Sequence, residues 1–106
     1  MPANNTIIST PVITNTTMTS ANTEYSFEIP AGSVRFSIKC QDGTAFRLAF
    51  VTGKVATPTA PYLTILANGA LNDPGDIQIG STALTVYVAC ASAGKIIECV
   101  SYPPRT

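Results

Sequence analysis

Apolar and polar side chains alternate along most of the chain from residue 24 onward. Over residues 24–29 the odd-numbered positions are apolar and the even-numbered ones are glutamate or serine. Over residues 33–40 the apolar positions are the even-numbered ones, Val34, Phe36, Ile38 and Cys40. A period of two is typical of a strand with one face in a core and the other in water. We therefore predict two half-buried strands, with these apolar positions facing inward.

The second half of the chain predicts shorter strands separated by turns. Alternation resumes over residues 46–50 after Asp42-Gly43, a dipeptide typical of tight hairpins. Residues 53–61 contain two prolines, which cannot continue a ladder of hydrogen bonds, so we predict a loop there. Asp73-Pro74-Gly75-Asp76 predicts another turn. The remaining predicted strands are residues 62–66, 77–79, 84–90 and 95–102, the last two forming a hairpin about residues 91–94.

The spacing of these elements predicts an all-β fold. No window repeats apolar residues at helical intervals, and short strands follow one another about every 8 to 12 residues. We predict a single-domain antiparallel β-sandwich or jelly-roll-like barrel over residues 23–106. Residues 1–22 carry no charge, are rich in Thr and Asn and are interrupted by Pro11, which predicts an extended N-terminal arm with one or two short edge strands. We expect this arm to dock on a neighbouring chain.

Composition narrows the possible partners. The chain has 106 residues, the size of one domain, and six basic residues balance six acidic ones, so no positive field exists to collect nucleic acid. Only 11% of the residues are charged, which predicts a neutral surface suited to assembly. No apolar run approaches the roughly 20 residues of a membrane-spanning helix, and the N-terminus lacks the features of a secretory signal. We therefore expect neither nucleic acid nor a membrane as partner.

Residue types that often carry catalysis are scarce. The chain has no histidine, which removes the commonest general base and a common zinc ligand. Cys40, Cys90 and Cys99 are odd in number and lie in apolar alternation, which predicts reduced core thiols rather than metal ligands. A hairpin about residues 91–94 would separate the sulfurs of Cys90 and Cys99 by about 13 Å along the strands, too far for a disulfide.

Three further groups could carry chemistry, but each has a simpler structural interpretation. Glu24 and Glu28 share a strand face about 13 Å apart, beyond the roughly 5–9.5 Å that separates glycosidase carboxylates. Asp73 and Asp76 favour a turn over a calcium site, because calcium needs about six to eight oxygen ligands. Gly53-Lys54 lacks the other residues of a phosphate-binding loop.

Tyrosines and glycosylation triplets complete the candidates. Four tyrosines would form a stacking platform for a sugar or a base only if they shared an exposed face, and they are Tyr25, Tyr62, Tyr87 and Tyr102. The triplets at Asn4 and Asn15 match the N-glycosylation acceptor, which has meaning only in a secreted protein. We predict no catalytic, cofactor-binding or metal-binding residues and no enzymatic activity.

Several strand and turn sequences are similar to those of a known group of proteins. The segments run from Asn22 to Gly32, Arg35 to Cys40, Phe46 to Ala56, Pro61 to Ile65 and Leu84 to Lys95. Together they resemble a group of small virion proteins encoded by tailed bacteriophages, over roughly residues 20–102. The resemblance implies a component of the phage head and transfers no functional residue.

From these observations we expect a phage virion structural protein, a capsid decoration or cement protein that binds and stabilises the head lattice. Its partner would be the major capsid protein or another virion protein, and homo-trimers or dimers would sit on the particle surface after assembly in the host cytoplasm, without a cofactor. Two alternatives stay open. An exposed tyrosine cluster near residues 53–61 and 69–80 would favour a neck, tail or receptor-binding component. Two carboxylates converging in a groove would favour a carbohydrate-binding module or a hydrolase.

Overall fold

Residues 10–103 are described by the computed structural model of the protein, and they form strands joined by turns and loops. The predicted all-β fold is confirmed, and within this range no helix is long and apolar enough to cross a membrane. Eight strands follow one another as β1 (Val12–Met18), β2 (Tyr25–Ile29), β3 (Arg35–Cys40), β4 (Phe46–Ala49), β5 (Leu63–Ile65), β6 (Ala70–Asp73), β7 (Leu84–Ala89) and β8 (Lys95–Tyr102).

These strands form two four-stranded antiparallel sheets. Sheet I has the order β1-β8-β3-β6, and sheet II has the order β2-β7-β4-β5. The first strand pairs with the last, the second with the seventh, the third with the sixth and the fourth with the fifth. The chain is therefore one long hairpin, with strands 1–4 paired to strands 8–5, that is folded over into two sheets. This strand order is that of a jelly roll.

The core lies between the two sheets and is formed by the alternating apolar positions. Phe36, Ile38 and Cys40 of β3 are buried, as their alternation predicts. They belong to one cluster with Leu48 of β4 and Val88 of β7, so both sheets contribute to a single core. Apolar burial of this kind supplies most of the stability of a small sandwich.

Two apolar positions predicted to face inward are exposed instead. Val34 is 46% exposed because β3 begins only at Arg35, and Phe50 is 39% exposed because β4 ends at Ala49. Both residues continue the period of two beyond the strand. Alternation therefore gave the correct face within each strand but not the point at which the strand ends.

Neither predicted hairpin forms. The connection at Asp42-Gly43 leads from β3 in sheet I to β4 in sheet II, and residues 91–94 lead from β7 in sheet II to β8 in sheet I. Gly43 and Gly94 do have the positive φ angles, 81° and 79°, that tight turns require. The turn residues thus reverse the chain, but the following strand joins the opposite sheet. As a result Cys99 lies opposite Ile38 of β3, and β7 and β8 belong to different sheets.

Residues 70–80 also differ from the prediction. Ala70–Asp73 is a strand, although Leu71 is its only large apolar residue, and residues 77–79 are not. Pairing with β3 forms β6, since every residue of β6 lies opposite one of β3. Ile79 is buried in the core without being part of a strand.

The N-terminal segment is only partly the arm that the sequence predicts. Val12–Met18 is an edge strand, as predicted, but it pairs along its whole length with β8. Met18 at its end is fully buried in the core. The structure therefore does not confirm an arm separate from the sandwich, because β1 is part of sheet I. Residues 1–9 of the expected arm lie outside the described residues.

Candidate interaction surfaces

The four tyrosines do not share a face. Tyr25 lies opposite Val88 and packs against the core, whereas Tyr87 lies on the outer side of sheet II. Tyr102 lies on the outer side of sheet I, with the guanidinium carbon of Arg35 4.2 Å from its ring centre. Tyr62, just before β5, is 38% exposed. The stacking platform that a sugar-binding module would need is therefore not assembled by these residues.

The predicted carboxylates have structural partners. Glu24 accepts hydrogen bonds from the Thr52 hydroxyl at 2.7 Å and from the Gly53 amide at 2.8 Å. Asp73 accepts from the amides of Asp76 and Ile77 at 3.1 and 3.2 Å, which confirms the predicted turn. Across residues 10–103, no group of three or more histidine, cysteine, aspartate or glutamate side chains could hold a metal ion.

All three cysteines are free and buried, as their alternation predicts. Burial raises the pKa of the Cys99 thiol to about 11. Burial also raises the pKa of Cys40, whose thiol donates to Asp42 at 3.3 Å. The Cys90 thiol donates to the carbonyl oxygen of Ala45 at 3.4 Å. The side chains of all three cysteines are therefore part of the core.

Residues 52–61, here called the strap, cover the outer side of sheet II. Val55 of the strap is fully buried and forms a second small core with Ala49 and Ala89. Arg47 donates from Nε to the Val55 carbonyl oxygen at 2.7 Å and from Nη2 to Asn22 Oδ1 at 3.0 Å. The predicted loop is thus a packed layer. Val55, the one large apolar side chain of the strap, is the sequence signal that could have indicated it.

Large apolar side chains are exposed just before and just after the strap in the chain. They lie at the corner formed by the end of β4 and the start of β5. The β4–β5 pairing sets Leu48 opposite Leu63, so continuing that register brings the end of β4 beside the start of β5. None of these side chains carries a charge, and we call them the corner patch. Its four members are Phe50 (39% exposed), Val51 (52%), Tyr62 (38%) and Leu63 (47%). Leu66 is 71% exposed but follows Ile65, which pairs with Phe46 at the start of β4, so it lies outside the patch. Exposed apolar groupings of this kind mark interaction sites.

The outer side of sheet I is open but electrically balanced. Lys39 Nζ lies 3.7 Å from Glu98 Oε1, and Gln41 donates to the same carboxylate at 3.2 Å. Ser37 donates to Asn72 on the neighbouring strand. A shallow depression of about 210 Å³ lies here, lined by Ile13, Ser37, Lys39, Glu98, Cys99 and Val100. Lys39 is thus paired with a carboxylate on this face, whereas Arg35 on the same side lies over the Tyr102 ring.

Among residues 10–103, β1 is one of the two edge strands of sheet I and pairs only with β8. This strand is seven residues long and contains no charged residue, proline or glycine, and Pro11 lies just before it. All of its side chains except Met18 are exposed or half-buried, and Ile13 is 71% exposed. Edge strands are usually protected by charge, proline or shortness, and within its seven residues β1 has none of these.

Comparison of the chain with protein-family models, with curated proteins and with solved structures gave no match. The candidate surfaces therefore rest on the geometry of this chain: an apolar corner on sheet II and an unprotected edge on sheet I.

Proposed function

We propose that this protein is a structural component of a phage virion, a decoration or cement protein that binds the major capsid protein on the head surface and stabilises the lattice. The corner patch is the observation that carries the proposal. It presents four large apolar side chains and no charge, on a chain of which only 11% of the residues are charged. Such a surface favours a protein partner that is recognised by apolar contact and backbone hydrogen bonds.

The size of the patch indicates the kind of partner. Its side chains are 38% to 52% exposed, and at full areas on the order of 200 Å² each they present roughly 350 Å². A stable pairwise interface needs about 800 Å² from each partner. The patch alone therefore supports a weak single contact. A weak contact becomes effective when the partner is repeated on a symmetric surface, as on a capsid.

The architecture is compatible with the virion role that the sequence resemblance leads us to expect. The strand order is that of the jelly roll, an architecture shared by viral capsid domains and by lectins. The architecture hosts several functions, so it supports the proposal only together with the corner patch.

Rebinding to stripped particles tests the proposal. Val51→Asp places a charge in the corner patch and should weaken binding at least tenfold. Val34→Asp is the matched control, because Val34 has a similar exposure, 46% against 52%, and lies outside the patch. Circular dichroism should show both variants folded. Wild-type binding should survive about 1 M salt, at which ion pairs are screened within about 3 Å.

Equal binding by the Val51→Asp and wild-type proteins, or release of the wild-type protein by salt, would overturn the proposal.

The number of copies per particle distinguishes a location on the head from one on the neck or tail. Hundreds of copies per particle are expected for a decoration protein, whereas a dozen or fewer would identify a neck or tail component. Particles without the protein should rupture at a lower temperature than particles to which it has been restored, because each bound copy stabilises the assembled lattice by mass action.

A further inference from the structure

We propose that β1 is a site for strand addition whose occupant is β1 of a second copy of the chain. The two strands would run antiparallel about a twofold axis at Asn15, joining the two copies of sheet I into one continuous eight-stranded sheet. This inference concerns a contact between two copies of the chain. It rests on the proposed function in one respect: a dimer would carry two surfaces that bind the capsid lattice.

The first observation that supports strand addition at β1 is that this edge is less protected than the other edges. An edge strand presents alternate amide and carbonyl groups that can pair with another strand. The other three edges are each blunted. The β2 edge carries Glu28, β5 has only three residues, and β6 has four residues and ends at Asp73-Pro74. Within residues 10–103, β1 is thus the longest edge strand, its seven residues carry no charge, and Pro11 lies just before its first residue.

The second observation is that the sequence of β1 is complementary to itself in an antiparallel pair. With the axis at Asn15, Val12 lies opposite Met18 of the second copy, Ile13 opposite Thr17, and Thr14 opposite Thr16. Each pair joins positions that face the same side of the sheet, so the core side of one copy continues into the core side of the other. Thr–Thr pairs and pairs of β-branched residues stabilise antiparallel strands, and this register opposes no like charges within the strands.

The exposure of Ile13 is the third observation. In the chain, Ile13 lies opposite Val100 and Thr17 lies opposite Ile96. In the proposed pair, Ile13 would lie between Val100 of its own chain and Thr17 of the second copy, with Ile96 beyond. An isoleucine that is 71% exposed in one copy would thus be covered on its open side by the β-branched side chain of Thr17.

The charges nearest the axis do not oppose this arrangement. Asn15 lies opposite Glu98, so the two Glu98 side chains would be separated by both Asn15 residues, three strand spacings or about 14 Å. That distance exceeds the Debye length of about 8 Å at physiological salt. Each Glu98 also faces Lys39 of its own chain at 3.7 Å.

The corner patch remains free in the pair. It adjoins β5, at the opposite edge of sheet II from β2, and β2 is the strand of sheet II in contact with β1. Pairing through β1 would therefore leave one corner patch at each outer end of the dimer. Two patches on one rigid body raise the effective concentration of the second contact, which offsets the small area of each.

Sedimentation equilibrium of the full chain without particles tests the pairing. The wild-type protein should be dimeric, and Ile13→Lys should raise the dimer dissociation constant at least tenfold, because a lysine protects an edge strand. Val51→Lys is the control, since it introduces the same side chain at an exposed apolar position, 52% exposed, that lies in the corner patch. This control should remain dimeric while losing particle binding, so failure of the dimer and failure of the proposed function are separable.

Cysteine crosslinking tests the register. Asn15→Cys should form a covalent dimer on mild oxidation, because residues directly opposite in an antiparallel pair have Cα atoms about 4.5–5.5 Å apart. Ser26→Cys, on the exposed side of edge strand β2, is the control and should not crosslink. A wild-type protein that is monomeric up to about 1 mM, an Ile13→Lys protein that dimerises as tightly as wild type, or equal crosslinking of both cysteine variants would overturn the inference.

Discussion

Lys95 and Asp42 form an ion pair in which Nζ lies 2.7 Å from Oδ2, although 53 residues separate them in the chain. The pair ties the connection between β3 and β4 to the start of β8. The same carboxylate also accepts from the hydroxyl and the amide of Thr44 at 2.7 and 3.1 Å. The turn that connects β3 in sheet I to β4 in sheet II is therefore held by Lys95 and by Thr44.

This ion pair predicts a pH dependence of stability. The hydrogen bonds from Lys95 and Thr44 hold the pKa of Asp42 well below its ordinary value of 3.8, and the same pair raises the pKa of Lys95 above 10.5. A lowered carboxylate pKa contributes stability above about pH 4 that is lost as the pH falls further. A raised lysine pKa contributes stability that is lost as the pH rises beyond about 10.5.

Urea unfolding checks this dependence. Asp42→Asn should lower the unfolding midpoint at pH 7, and the difference from wild type should shrink as the pH falls below about 4. Asp76→Asn is the control, because it removes an exposed aspartate that lies far along the chain from Lys95. A difference that is the same at pH 7 and at pH 2 would contradict the prediction.

Arg47 should hold the strap against sheet II. Arg47→Met removes the hydrogen bonds to the carbonyl oxygen of Val55 and to Asn22, so we expect the strap to open more often. Trypsin cleavage after Lys54, within the strap, should then be faster in the native protein. Arg35→Met, on the outer side of sheet I, removes an equivalent charge and should leave the rate of this cleavage unchanged.

Leu48 should contribute far more to stability than Leu66. Leu48→Ala leaves a cavity at a fully buried position and should cost about 2–5 kcal/mol. Leu66→Ala makes the same chemical change at a position that is 71% exposed and should cost less than about 0.5 kcal/mol. Chemical denaturation of the two variants measures the contrast, and equal losses would show that the core is misassigned.

The thiols should react slowly in the native protein. With a pKa of about 11, the Cys99 thiol is thiolate to only about one part in a thousand at pH 8, and it is buried as well. Iodoacetamide should modify all three cysteines quickly in denaturant and slowly without it. The intact mass of the native protein should correspond to three reduced thiols.

Truncation separates β1 from the residues before it. Removing residues 2–20 deletes the whole of β1 and the fully buried Met18, so we expect loss of cooperative unfolding. Removing residues 2–9 keeps β1 and its pairing with β8, and cooperative unfolding should remain. Thermal unfolding followed by circular dichroism distinguishes the two. A cooperative transition in the longer deletion would contradict an integral role for β1.

Alternation along the chain was enough to predict strands and their faces. Phe36, Ile38 and Cys40 are buried as predicted, because a period of two is a property of the extended backbone and needs no knowledge of the rest of the fold. The same holds for the loop at residues 53–61, where two prolines exclude a ladder. The burial of all three thiols likewise follows from their place in apolar alternation.

Long-range packing decided which strands pair and which surfaces stay open. Asp42-Gly43 and residues 91–94 have turn chemistry that serves a hairpin or a crossing between sheets equally well, and only the partners of β3 and β8 select the crossing. β6 exists because β3 offers it an edge, and Val55 is buried because Arg47 draws the strap over sheet II. The corner patch and the exposed edge of β1 could not be predicted from the sequence for the same reason. The exposure of an apolar residue depends on which side chains pack against it, and these come from residues far away in the chain.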